Sequence, residues 1–491
     1  MKRKAAYAVP VVMGILFCFY YILQAADNVA YTDYIRLINS YLPDVANPAK
    51  FFVPDIFTRV PVTYLGRIIN VALFDYNTMF DMALGVFSLG LGGAVLAVYS
   101  AGERRVGFVW FLLIQFVYFG LNKWEMLTNG TGWVCFLAIS GYICHFTVLD
   151  HAVRTHCREK RDRMLLIGLA PVLTLLVSGT YCGSYSAIML LALGTLLVMG
   201  RRRNGGSEAG TVGEQRCSQE QKVYLLAFLT VLISLLIYLW SSSQAVYEHR
   251  GAVAEGSIAE EFLRNPLFFV VFLLKAFASA VIGVEQLTGL GQRGDFFGTD
   301  LFVYLLGLAL IFFYFYSLFL TWRYRVYEKT LLPLLLILSG GLNHLLILAA
   351  RWIFLNDKYG MSSRYGLQYQ LGLIGILLTF AVVWRMRNSD AEESGRSEPG
   401  YRGVSKKPGA VSLFLLLAGA CMILAGSAWT THKELQTAPY RKAYLQVSRE
   451  IGLNYKTASD EDLENYLHSS ADKVRAAMKI LEENELNIFS K

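Results

Sequence analysis

Apolar runs long enough to cross a bilayer recur along most of this 491-residue chain and leave it few ways to fold. They fall near 6–24, 79–100, 106–120, 131–149, 164–179, 184–200, 222–240, 300–321, 330–350, 368–385 and 409–429. Most approach the roughly 20 residues that a helix needs to span a hydrocarbon core of about 30 Å. Hydrophobic residues make up 55% of the chain and charged residues only 17%. A soluble protein, about a quarter charged, has no way to hide that much apolar surface. The expected fold is all-α, a polytopic transmembrane helical bundle of about eleven spans.

A twelfth run, 266–284, carries Lys275 at its middle, and the positive-inside rule decides its treatment. With Lys2, Arg3 and Lys4 inside, the basic connections near 102–107, 150–163 and 201–222 also fall inside. If 266–284 crosses, the basic segments 322–329 and 385–407 are forced outside; if it re-enters or lies along the interface, both return inside. Eleven spans are therefore preferred over twelve, and Lys275 escapes burial in lipid, where charge is costly. The loops 25–77, 241–299 and 351–366 and the tail after Trp429 then share the extracytoplasmic side. The inside loops 201–221 and 388–408, rich in Gly, Ser and charge, read as flexible linkers.

The net charge of +8 reflects these loops, so it is no sign of nucleic acid. The seven cysteines sit mostly in or beside apolar runs without a CxxC pair and read as small buried residues. Met1–Gln24 reads as a retained first helix, because no small-x-small cleavage site leads into a soluble domain. The division is a membrane part, 1–430, and a small helical tail, 431–491. In the tail, Val474, Ala477, Met478 and Leu481 recur at helical spacing, with Ser469 or Ser470 as N-cap, so this helix is expected to dock on the membrane part or a partner.

Ionisable groups first collect in the loop 25–77, with Asp27, Asp33, Arg36, Asp44, Asp55, Arg59 and Arg67. Asp27 and Asp33 lie just beyond the first helix, where a carboxylate can deprotonate a hydroxyl or help hold a divalent cation. Asp33 can equally pair with Arg36 on a helix surface. In the late loop, Arg351, Lys358 and Arg364 suit a lipid phosphate, while Trp352, Tyr359, Tyr365 and Tyr369 suit an interfacial belt. Trp124 and Glu125 occupy a short outer loop, where Glu125 can serve as a second acid or pair with Lys123 or Arg67. Glu285, Arg293 and Asp295 can line a groove. His145, His151, His156 and Cys157 stand among basic residues that repel a cation, and so read as structural. His344 lies within a span, where polar groups face the bundle interior. No nucleotide-binding glycine motif or serine-hydrolase elbow occurs.

The order of several short motifs resembles the C-type (GT-C-like) membrane glycosyltransferases, which use polyprenyl-phosphate sugars at the outer face of a membrane. An acidic "DDYxRLIN"-like first loop corresponds to Thr32-Asp33-Tyr34-Ile35-Arg36-Leu37-Ile38-Asn39, and an "NQWEN" segment to Asn122-Lys123-Trp124-Glu125-Met126. A Ser/Gly-rich helix start is similar to 178–184, an "SRY" to Ser363-Arg364-Tyr365, and a closing "LKExxLNVF" to 481–489. The resemblance implies that Asp33 is the carboxylate of the first loop and that Arg364 lies near the lipid phosphate. Thr32 stands where the first of two aspartates is usual, so a two-aspartate metal site would need Asp27 as substitute. Met126 stands where the motif has Asn.

The expected activity is transfer of a sugar from a polyprenyl-phosphate donor to a glycan or lipid acceptor of the cell envelope, in the cytoplasmic (inner) membrane. Asp33, helped by Asp27, is the expected base. Arg364, Arg351, Tyr365, Trp124, Glu125, Lys358 and His344 are the expected substrate-binding residues. No motif demands a cofactor; a divalent cation is the one the carboxylates allow. Rival readings are a transporter of a lipid-linked sugar or polysaccharide, for which mid-helix charges and matching halves are expected, and a catalytically silent envelope scaffold.

Overall fold

The computed structural model describes residues 2–52, 61–102, 106–204, 212–244, 252–292, 300–393 and 409–491. Of the first loop's charges, Asp55 and Arg59 lie outside the described residues, as do the groove candidates Arg293 and Asp295. Every regular element is helical, with no strand among the described residues. Long helices suit this composition because each satisfies its own backbone groups where water is absent.

In chain order the helices are α1 (Lys2–Ala25), α2 (Asp33–Tyr41), α3 (Pro61–Phe74), α4 (Thr78–Ala101), α5 (Phe108–Tyr118), α6 (Trp124–Thr128) and α7 (Trp133–Arg154). They continue with α8 (Lys160–Pro171), α9 (Cys182–Asn204), α10 (Val212–Ser243), α11 (Ile258–Arg264), α12 (Pro266–Val281), α13 (Val284–Gln292) and α14 (Asp300–Arg323). The last six are α15 (Val326–Lys329), α16 (Leu332–Arg351), α17 (Gly366–Glu393), α18 (Ala410–Leu453), α19 (Asp460–Tyr466) and α20 (Ala471–Glu483).

Nine helical stretches among the described residues are long and apolar enough to cross a membrane. The chain is a multi-pass membrane protein. Two of the eleven expected runs fall short of that standard. Over 106–120 the helix α5 has 11 residues, or about 16 Å of rise. Over 164–179 the chain is α8, which opens on Lys160, Arg161, Asp162 and Arg163, continued by a π-helical stretch Val172–Val177. The run 266–284 becomes α12, bent by 102° from α11.

Loops gather at two ends of the bundle, here called upper (the end of Ala25) and lower. The contacts of α12 belong to the upper end. Lys275 donates to Asp357 at 2.9 Å and to Asp300 at 3.5 Å, and the carbonyls of Ala280 and Val281 accept from Asn122 at 3.4 and 3.3 Å. Lys275 is buried within the protein, where two carboxylates compensate its charge. At the lower end, the buried Asp150 accepts from the Thr330 hydroxyl (2.8 Å) and the Leu331 N–H (2.6 Å), which ties the end of α7 to the start of α16. The linkers 201–221 and 388–408 are helical at 201–204, 212–221 and 388–393, where α9, α10 and α17 extend; the rest lies outside the described residues.

The tail is continuous with the membrane part, since the division at 430 falls inside α18, a single helix of 44 residues. Val474, Ala477, Met478 and Leu481 are all buried, and α20 packs on α2. Ser470 occupies the N-cap position of α20 without a side-chain cap bond. Asn487, buried near the chain end, uses its whole amide. Its Nδ2 donates to Asn28 Oδ1 (2.8 Å) and the Tyr76 carbonyl (2.9 Å), and its Oδ1 accepts from the Ala30 N–H (3.2 Å). The first loop is thereby held from outside the membrane part.

Candidate functional site

Four chain segments meet at the upper end around a cavity of about 360 Å³. The first loop supplies Tyr31 and Thr32, the second outer loop Trp124 and Glu125, the late loop Arg364, and the outward extension of α18 Tyr440, Arg441 and Tyr444. A volume near 300–1,000 Å³ with a few convergent polar groups is what a small-molecule site requires.

Two arginines reach this cavity, and each stands between two carboxylates. Arg364 pairs closely with Glu125 through its Nε, and its Nη1 lies 4.0 Å from Asp33. Glu125 also accepts from the hydroxyls of Ser363 (3.1 Å) and Ser362 (3.4 Å), so three donors from one loop fix its carboxylate. This is possible because 3-10 turns at Tyr359–Met361 and Ser363–Tyr365 fold the late loop back on α6. Arg441 pairs with the buried Glu434 at 2.9 Å and lies 3.9 Å from Glu285. Its guanidinium stacks on the Trp124 ring, 3.2 Å from the centroid, while the indole N–H donates to Glu285 at 2.9 Å. A planar guanidinium can stack and pair at once, which an ammonium cannot. Burial, with the neighbouring Glu434 charge, pushes the Glu285 carboxyl above its ordinary range. Burial and the Glu125 charge push the Tyr31 phenol up as well.

The expected residues divide. Asp33, Glu125, Arg364 and Trp124 come together here, and Asp33 is paired with Arg364. The cation beside Glu125 is Arg364, neither Lys123 nor Arg67. Lys123 is fully buried and donates to the carbonyls of Tyr118 and Gly120 and to Gln370, while Arg67 lies over the Tyr41 and Tyr64 rings. Asp27 does not join the cavity; its carboxylate accepts from the Asn28 N–H and lies 3.9 Å from Arg449. Arg351 donates to the Tyr365 hydroxyl at 2.8 Å and sits over the Phe354 and Tyr359 rings, so both join an aromatic cluster rather than the cavity lining. Lys358 is exposed outside the cavity lining.

His344 is a core residue. Its ring is sandwiched between Phe277 and Tyr369, with centroids 3.8 and 3.9 Å away. His145 is likewise structural, bonded to the Tyr185 hydroxyl and the Leu166 carbonyl. His156 faces Glu220 at 3.2 Å, and Cys157 is buried. Among the described residues the one set of three close metal-ligand types is His151, Glu159 and Asp162, at the lower end. At the cavity, Asp33 and Glu125 flank a guanidinium and no third ligand joins them among the described residues, so these residues as arranged do not fit a divalent cation.

Sequence reasoning missed Arg441 and the outward part of α18 as cavity walls, and Glu434 as the buried partner of Arg441. Tyr440-Arg441-Lys442 carried a faint signal, an aromatic beside bases on a helix that keeps its periodicity past the membrane. No family model matches the chain, and neither a curated protein nor a solved structure matches it.

Proposed function

We propose that the upper cavity binds a polyprenyl-phosphate-linked sugar and transfers the sugar to a glycan or lipid acceptor of the cell envelope, as in C-type glycosyltransferases. The observation that carries this reading is Arg364 held between Glu125 and Asp33 in a cavity at the membrane end of the bundle. A guanidinium there matches a lipid phosphate bidentately.

The ion pairs suggest how binding readies the site. When the phosphate takes Arg364, one carboxylate must give up its hold. Glu125 keeps two serine hydroxyls, whereas the one ion pair shown for Asp33 is the longer contact to Arg364. Asp33 is therefore the group released to face the acceptor. It takes the proton of the acceptor hydroxyl as that oxygen attacks the sugar C1 and the C1–O bond to phosphate breaks. The leaving phosphate keeps the electron pair and is stabilised by Arg364. No step is routed through a metal ion.

The same reading takes α11–α13 as a re-entrant segment, leaving eleven crossings. Antiparallel α9 and α10 bring Ser243 to the upper end, and α14 begins there beside Lys275. The upper end then faces outward from the cytoplasmic membrane, because Arg158, Arg161, Arg323 and Arg325 gather at the lower end.

The test is titration of purified protein with a synthetic polyprenyl phosphate, followed by transfer from its sugar-linked form. Arg364→Gln is expected to weaken binding about 10- to 100-fold, and Asp33→Asn to abolish transfer at unchanged protein level. Unchanged affinity in Arg364→Gln sinks the site. Tight binding to both proteins without transfer in the unaltered chain moves the reading to a transporter.

A further inference from the structure

A second cavity, about 890 Å³, opens at the lower end between α1, α5, α17 and α18. One of its walls is α5, whose 11 residues rise about 16 Å and whose first turn, Phe108 to Trp110, lines the recess. Val106, just before α5, is tied to α1 by Tyr7, whose hydroxyl donates to the Val106 carbonyl at 2.8 Å. A Cβ added at Gly107 would meet nothing within 4 Å, so the space beside it is open.

The lining has two kinds of surface. Most of it is apolar, with Leu417 on α18 and Val109 on α5 continuing onto the exposed apolar outside of the bundle. At one edge Trp110 and Trp384 meet edge-on, with centroids 6.3 Å apart, and the residue after Trp384, Arg385, is the one charged side chain among the described residues of the lining. Indole and guanidinium at the lower boundary of an apolar recess match the interface where a phospholipid turns from hydrocarbon to phosphate. Water filling so apolar a recess gains few hydrogen bonds.

We infer that this cavity is a binding site for one phospholipid of the lower leaflet, its acyl chains lying in the recess beside α5 and its phosphate held by Arg385. The polyprenyl donor is not this occupant, because Arg364, its phosphate partner, lies at the opposite end. The site stands whether or not the proposed transfer occurs.

The experiment is native mass spectrometry of the delipidated full chain, titrated with palmitoyl-oleoyl phosphatidylglycerol. One tightly held lipid per chain is expected. Arg385→Gln should weaken it about tenfold. Cys421→Trp should remove it by filling the recess, since Cys421 is exposed and lines the cavity. Phe414→Trp, on the exposed outer face of α18 and not in the lining, should leave it unchanged. Equal lipid retention in Cys421→Trp and the unaltered chain overturns the site, as does preference for polyprenyl phosphate over the phospholipid. A dimer of the unaltered chain that Cys421→Trp dissolves would make the recess an interface between copies instead. Should Cys421→Trp not fold, the Arg385→Gln titration decides: unchanged affinity rejects the phosphate contact and with it the proposal.

Discussion

The two ends of the bundle use the same carboxylates and arginines for opposite purposes. At the lower end Asp150 is wholly buried and spends its oxygens on the Thr330 hydroxyl, the Leu331 N–H and Arg154. At the upper end the side chains of Arg364 and Asp33 remain 45% and 38% exposed; Arg364 is shared between Asp33 and Glu125, and Glu125 also accepts from two serines. A buried charge whose partners belong to the backbone start of another helix cannot change them without unravelling that helix. A half-exposed pair beside a cavity can trade partners with a ligand. Exposure and the kind of partner, more than the presence of charge, separate what holds the fold from what is left for chemistry.

The largest effect should come from Asp150→Ala. It strips the cap from α16 and leaves Arg154 without its buried partner at 3.2 Å, so a loss of about 3–5 kcal/mol is expected, read as a lower unfolding temperature in detergent. A change below about 1 kcal/mol, the range of exposed pairs, would erase the contrast between the ends. Asn487→Ala is expected next, at about 2–3 kcal/mol, because it leaves the Ala30 N–H and the Tyr76 carbonyl without their partner in a buried place. It should also free the first loop, read as faster amide exchange over 28–41. Exchange unchanged there would mean that the tail does not position Asp33.

Arg364→Gln should be far milder for the fold, within about 1 kcal/mol, since its ion pairs are partly solvated. Combined with loss of polyprenyl-phosphate binding, that result sharpens the contrast. A collapse of the protein on this change would instead put Arg364 with Asp150 as a structural cation.

The helical class was legible because apolar run length is a one-dimensional signal, set by bilayer thickness. The stripe Val474, Ala477, Met478 and Leu481 was legible for a similar reason, since helical spacing alone says which face is buried. Run length failed where helix ends depart from the hydropathy profile: α5 stops at 11 residues, and α18 runs on to Leu453 with no break at residue 430. For the site, Arg364 and Glu125 were each visible as charges beside helix ends, but their pairing spans 239 positions and no local pattern encodes it. Asp27 and Lys358 carried the same local signal as Asp33 and Arg364. What separates them is which way the loop turns, and the tail sets that through Asn487 and through the Leu467 carbonyl, which accepts from the Thr32 N–H.

The smallest effect tests the second arginine. Glu285 lies between the Trp124 indole and Arg441, and burial beside Glu434 raises its carboxyl pKa despite that arginine. A carboxyl with a raised folded-state pKa binds its proton more tightly when folded than when unfolded. Its contribution therefore favours the fold below the ordinary carboxylate range and is lost as pH rises through the unfolded and then the folded value. Glu285→Gln keeps an oxygen for the Trp124 N–H but removes the titration. Relative to the unaltered protein, the variant should gain stability as pH rises through that window, and the gap should level off above it. Because Glu285 is partly exposed, the shift should be a small difference between two unfolding profiles, much less than that from Asp150→Ala. If the unaltered protein gains on the variant instead, the Arg441–Glu285 pairing outweighs the burial. The cavity's second arginine would then be locked in place like the charges at the lower end, leaving Arg364 as the cation free to exchange.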